Sequence, residues 1–82
     1  MITLLCIPAF NEENIIGNVV RNSLKFVDHV VVCDDGSNDK TSENAENAGA
    51  YVIQHTNNKG KGVALRSLFK YAKHHDSEII VT

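Results

Sequence analysis

The sequence predicts an α/β domain in which four parallel strands alternate with three helices, in the order β-α-β-α-β-α-β. Three observations predict it. Wholly apolar runs of strand length, "ITLLCI" and "HVVVC", stop abruptly on polar or turn residues. Between such runs lie stretches whose apolar residues recur at helical spacing. The connections are short, and alternation with short connections requires crossovers that lay helices over a parallel sheet.

The first strand covers residues 2–7, closed by Pro8; apolar at every position, it suits burial on both faces. A helix is expected from Glu12, with Asn11 as its N-cap and Glu12 and Glu13 in the favoured first turn. Ile15, Ile16, Val19, Val20 and Leu24 make its buried stripe, leaving Asn14, Asn18, Arg21 and Asn22 to solvent. "HVVVC" is the second strand, rich in β-branched residues. "DDGSND" is a turn cluster; Asp39 and Thr41 start the next helix, over about residues 40–48, with Gly49 as its stop. Residues 50–55 form the third strand, and "TNNKGKG" a loop. Ala64, Leu65, Leu68, Phe69 and Ala72 mark a third helix ending near His74 or His75. "SEIIVT" opens a fourth strand.

The 82 residues read as one domain, 43% hydrophobic and 22% charged, with a net charge of −2. No broad basic surface for nucleic acid follows from that balance. Cys6 and Cys33 sit inside apolar runs and read as buried, reduced thiols rather than as a disulfide or metal pair. The apolar start lacks a charged n-region and is no signal peptide, and no stretch reaches membrane-spanning length.

Three polar clusters follow strand ends: "PAFNEE", "DDGSND" and "TNNKGKG". In parallel sheets ligands bind outside the carboxyl ends of the strands. Asp34 and Asp35 are adjacent carboxylates at such an end, and ionised carboxylates are costly to bury unpaired, so a donor or cation is expected beside them. Strand alternation sends them to opposite sides, one to order the loop and one to a crevice, where it suits a ring N–H or ribose hydroxyl. A purely structural Asx turn is the competing reading. Phe10 can stack on a base or pack under the first helix; Glu12 can accept from a nucleoside or serve the helix dipole. Backbone N–H groups and lysines across Lys59, Gly60, Lys61 and Gly62 can face an anion, although neither a P-loop nor a dinucleotide fingerprint is present. The four histidines lack metal-ligand spacing and read as surface or strand-end residues; Lys70 and Lys73 read as a solvated helix face.

Taken together, "IPAFNEENI", "VDHVVVCDDGSNDKT", "AGAYVI" and "NKGKGVALRSLFKYA" resemble, in order and spacing, the amino-terminal half of a family 2 glycosyltransferase of the GT-A fold. "DDGSND-x-T" and "N-x-GKG-x-A-x-R" are most similar to the polyprenyl-phosphate subgroup, such as dolichyl-phosphate mannosyl- and glucosyltransferases. The resemblance implies a nucleotide-sugar donor, linked to UDP or GDP, and a hexose passed to a polyprenyl phosphate. It implies that Pro8, Ala9, Phe10 and Glu12 line base and ribose, that Asp35 accepts from the nucleoside with the Cys33 backbone close by, and that Asp34 orders the loop. Lys61 and Arg66 would sit near the donor. Mg or Mn is implied for the full-length enzyme, but the family's Asp-x-Asp follows the fourth strand, where this chain reaches Thr82. The chain is therefore expected to carry donor-recognition parts without catalytic residues or metal ligands, and to be inactive alone. The strand order implied is third, second, first, fourth, which leaves the fourth strand as an apolar edge and predicts self-association. A cytoplasmic location, peripheral on the cytosolic membrane face at full length, is also implied.

Other classes fit less well. A sugar nucleotidyltransferase calls for a glycine- and arginine-rich signature after the first strand. A phospho-receiver domain carries its acidic pair there and a phosphoacceptor Asp after the third strand, where this chain has His55. A non-catalytic nucleotide-binding module remains compatible with the residues.

Overall fold

The computed structural model describes residues 2–73 and the backbone of 78–81. Its elements are β1 (Thr3–Ala9), α1 (Ile16–Ser23), β2 (His29–Asp35), α2 (Thr41–Asn47), β3 (Tyr51–His55), α3 (Lys61–Lys73) and β4 (Glu78–Val81). All strand pairs are parallel, in the order β3-β2-β1-β4. Both the alternation and the strand order match the expectation.

The strand side chains alternate between two cores, as the pleat requires. Ile7, Ala9, Val30 and Val32 pack on one face with Ile16 and Val20 of α1 and Ala45 of α2. Leu4, Cys6, Val31 and Cys33 pack on the other with Ala64, Leu68 and Ala72 of α3. Val20, Val30, Val31, Val32 and Leu68 are fully buried, and each contributes roughly 1.5–3 kcal/mol. Both thiols are free and buried.

Two helix starts differ from the sequence reading. Helix α1 begins at Ile16 rather than Glu12, and Asn11 is not its N-cap; Asn11 has a positive φ of 52°. The N–H groups of Glu12 and Glu13 find acceptors on the next loop instead, at Thr41 Oγ1 (2.9 Å) and Asp39 Oδ2 (3.4 Å). With those donors satisfied from outside, regular helix is not needed there. As a result Ile15 lies 53% exposed rather than on the buried stripe. At the other end of the chain, α3 takes in Lys61 and Gly62, which the sequence places in a loop. Helix α2 stops as expected, at Gly49 with φ 110°. The expected helix end at His74 or His75 lies outside the described residues.

Strand β4 pairs with β1 and closes the order of the sheet. An apolar edge strand is a template for further pairing. The 82-residue chain is therefore expected to sediment as dimers or larger species at micromolar concentration. A clean monomer, with strong amide protection along Glu78–Val81, would show that the chain closes its own edge.

Candidate functional site

The site is built at the carboxyl ends of β1, β2 and β3, where three loops meet. The loop after β2 is the centre of it. Asp34 continues the Val30–Val32 side of the strand and turns toward α2, where it accepts from the Ser37 N–H (2.9 Å) and the Ser42 hydroxyl. It orders its own loop. Asp35 continues the Val31–Cys33 side and turns toward α3. It accepts from His55 Nδ1 (2.9 Å) and the Lys59 N–H (2.9 Å) through Oδ1, and from the Gly60 N–H (2.8 Å) through Oδ2. These bonds, His55 first, hold its carboxyl below the usual aspartate range, against the opposing effect of burial. The donors expected beside the acidic pair are thus a backbone amide and a hydroxyl for Asp34, and a histidine ring and two backbone amides for Asp35.

The same central loop is tied to the loop after β1. Asn11 N–H donates to Ser37 Oγ (2.8 Å), and Asn38 N–H donates back to Asn11 Oδ1 (2.9 Å). Lys40 N–H donates to Glu13 Oε2 (3.0 Å), and Asn44 Nδ2 to the Glu13 carbonyl (3.0 Å). Thr41 bonds to Asp39 through both its N–H and its hydroxyl, which places this pair at the start of α2 as the sequence reading expects. The Thr41 bonds, foremost among several, also lower the Asp39 carboxyl. At Gly36 (φ 79°) the central loop meets the backbone of the third: a Cβ there would lie 2.5 Å from both Asn57 C and Asn58 N.

Between the loops opens a cleft of about 260 Å³ lined by Pro8, Ala9, Phe10, Asp35, Asn58, Gly60, Lys61 and Ala64. It joins an apolar wall and an exposed aromatic, Phe10, to one carboxylate and one lysine. Of the nine residues that the resemblance implies for the site, five come together here: Pro8, Ala9, Phe10, Asp35 and Lys61. Four do not line it. Glu12 lines a neighbouring hollow with Ile7, Pro8, Ala9, Ile15, Ile16 and Val19. Asp34 lies on the other side of β2. Cys33 is fully buried beneath, its thiol pushed up to about 11 by burial and then by Asp35 and Asp34. Arg66 is exposed on α3. The amides of Lys59 and Gly60, which the sequence reading offered to an outside anion, are taken by Asp35.

Sequence reasoning missed Asn58 on the cleft and His55 behind it. His55 is the last residue of β3 and stands opposite Asp35 in the ladder. Two strand ends that carry a carboxylate and an imidazole were a signal, but only the register makes them partners. Among the described residues, no group of three or more His, Cys, Asp or Glu is placed to hold a metal ion. The described residues therefore do not fit the metal that the resemblance implies.

The sequence model for "Glycosyl transferase family 2" matches residues 4–82. An uncharacterised protein of Methanocaldococcus jannaschii is 46% identical over 77 residues, covering 93% of this chain and 32% of its own length. The UDP-N-acetylglucosamine–dolichyl-phosphate N-acetylglucosaminyltransferase of Methanococcus voltae is 34% identical over 96 residues, with 95% of this chain and 38% of its own covered. Among solved structures, glucosyl-3-phosphoglycerate synthase of Mycobacterium tuberculosis with Mn2+, UDP-glucose and phosphoglyceric acid superposes with a TM-score of 0.71. That match has 28% identity and covers 98% of this chain and 32% of the synthase. The UDP complex of the same synthase matches at 33% identity with a TM-score of 0.65, over 78% of this chain and 27% of that one. The chain spans about a third of the length of the relatives it matches. On the family match and the sheet it shares with these GT-A enzymes, the chain belongs to glycosyl transferase family 2.

Proposed function

We propose that the chain is the donor-recognition part of a glycosyltransferase that uses a nucleotide sugar, and that the cleft receives the nucleoside. The observation that carries this reading is the composition of the cleft: Phe10, 41% exposed, stands beside Pro8 and Ala9 on a wall shared with the Asp35 carboxylate. A flat aromatic ring needs an apolar wall to stack on, and its N–H or ribose O–H groups need an acceptor. Lys61, at the first turn of α3, adds a positive charge on the rim toward which a diphosphate can extend. The donor complexes of the mycobacterial synthase, named for UDP and UDP-glucose, support the same class of ligand.

In the whole protein the transfer replaces the anomeric C–O bond to the diphosphate with a C–O bond to the acceptor. The diphosphate that leaves needs cationic stabilisation. Mn2+ accompanies UDP-glucose in the synthase complex, and the Mg or Mn of this protein would need ligands other than the described residues. The acceptor is a polyprenyl phosphate on this reading, supported by the dolichyl-phosphate enzyme of Methanococcus voltae. Such an acceptor would hold the full-length protein peripherally at the cytosolic membrane face. Among the described residues no helix is long and apolar enough to cross a membrane.

Phe10 provides the test. Because the ring is exposed and outside both cores, Phe10→Ala is expected to leave the melting temperature within about a degree or two. Lost stacking is worth about 1–3 kcal/mol, so calorimetric titration should show UDP or GDP binding weakened at least severalfold. Unchanged affinity for both nucleotides would contradict the placement of the base.

A further inference from the structure

Beneath the cleft, a polar chain crosses the apolar face of the sheet. His55 Nδ1 lies 2.9 Å from Asp35 Oδ1, and His55 Nε2 lies 3.0 Å from Ser67 Oγ. Cys33 Sγ is 3.7 Å from the same Nε2. The members come from β2, β3 and α3, so the chain fastens a helix to two strand ends. An ionised carboxylate only accepts, so Nδ1 carries the proton toward Asp35. In the neutral ring Nε2 is then the acceptor, and the Ser67 hydroxyl donates to it. The protonated Cys33 thiol is a second, weak donor on the same side.

A carboxylate, an imidazole and a hydroxyl in this order activate a nucleophile in hydrolases. Here the opposite end of the chain is the one in contact with the cleft. Neither His55 nor Ser67 lines it, whereas Asp35 does. A carboxylate offers about four acceptor positions. On Asp35, His55 and the Lys59 N–H occupy Oδ1, and the Gly60 N–H occupies one position on Oδ2. One position on Oδ2 is left. That number suits a single N–H or O–H from a ligand, provided the carboxylate cannot rotate. The two amides come from a glycine-containing loop, whereas the histidine ring is held at both nitrogens, by Asp35 and by Ser67 of α3.

We propose that His55, held in its tautomer by Ser67, is the positioning residue of the donor cleft: it fixes Asp35 so that the one remaining acceptor position on Oδ2 meets the nucleoside. The proposal rests on the nucleotide-donor reading and goes beyond it by assigning His55 and Ser67 a part in recognition, although neither touches the ligand.

The test compares His55→Leu, His55→Asn and Ser67→Ala in the 82-residue chain, by carbon NMR of the Asp35 carboxyl across acid pH and by titration with UDP. An asparagine amide can put an N–H near the place of Nδ1; leucine cannot. His55→Leu is expected to move the Asp35 titration upward and weaken UDP binding about tenfold. His55→Asn should keep the titration nearer to wild type and bind UDP within about threefold of it. Ser67→Ala should fall between, because the ring stays but loses its donor on Nε2. An Asp35 titration unmoved in His55→Leu, or equal loss of UDP by the leucine and asparagine variants, would overturn the proposal. Should His55→Leu not fold, Ser67→Ala decides: wild-type Asp35 titration together with wild-type UDP affinity would overturn it. If wild type binds neither UDP nor GDP while the carboxyl titration responds as expected, the donor reading itself fails and the positioning role falls with it; if it binds GDP alone, GDP replaces UDP in the comparison.

Discussion

Gly36→Ala is expected to disrupt the site more than any other single methyl. The residue has φ 79°, and a conformation of that kind costs a non-glycine residue about 1–3 kcal/mol. The added Cβ would also lie 2.5 Å from Asn57 C and Asn58 N. Those are backbone atoms, which cannot swing aside as a flexible side chain can. The loop after β3 must retreat, and with it the Lys59 and Gly60 amides that bind Asp35. The variant should melt clearly below wild type and lose nucleotide binding, with the largest amide shifts in residues 57–60. Gly62→Ala is the control. It lies in the first turn of α3 with open space where the methyl would go, so no loss of stability is expected. Equal behaviour of the two variants, by thermal unfolding, would contradict the close approach of the two loops.

Asp35→Asn is expected to weaken both the donor site and the fold. For an exposed loop residue the change would cost donor affinity alone. In the structure Asp35 is only 4% exposed and takes three internal hydrogen bonds. An amide has one oxygen where the carboxylate has two, so His55, Lys59 and Gly60 cannot all keep their acceptor. Near neutral pH the melting temperature should fall by several degrees, and UDP or GDP should bind about tenfold more weakly through loss of a charge-assisted acceptor. The pH dependence has a defined sign. The folded carboxyl titrates below its ordinary value, so its contribution is complete above the ordinary aspartate range. It is lost as pH falls through that range toward the lowered value. The gap in melting temperature between wild type and Asp35→Asn should therefore narrow on acidification. A gap that stays constant from neutral to strongly acid pH would show that the carboxylate charge has no part in holding the loops.

The acidic pair was legible because strand period alone separates its members. With Val31 and Cys33 on one face and Val30 and Val32 on the other, Asp35 and Asp34 must follow suit. The apolar runs and Gly49 placed most elements for similarly local reasons. The partner of Asp35 was not legible, because His55 is opposite it only through the β2–β3 register, and nothing local fixes a parallel register across a helical crossover. The start of α1 was misread for a related reason. Glu12 and Glu13 look like a first helical turn with Asn11 as cap, yet their amides are satisfied by Thr41 and Asp39, about 30 residues on. Asn11, freed from capping, instead takes the amide of Asn38. Contacts between loops rewrote what local propensity proposed, and they did so at the rim of the cleft.

A nucleoside seated in the cleft at the ends of β1, β2 and β3 must perturb the walls that meet its base and ribose. Titrating the isotope-labelled 82-residue chain with UDP and with GDP, and following its amide resonances, tests it most directly. Saturable shifts are expected at residues 9–12 and 33–36, around the walls formed by Ala9, Phe10 and Asp35. Shifts confined to residues 59–62, or none with either nucleotide, would contradict it.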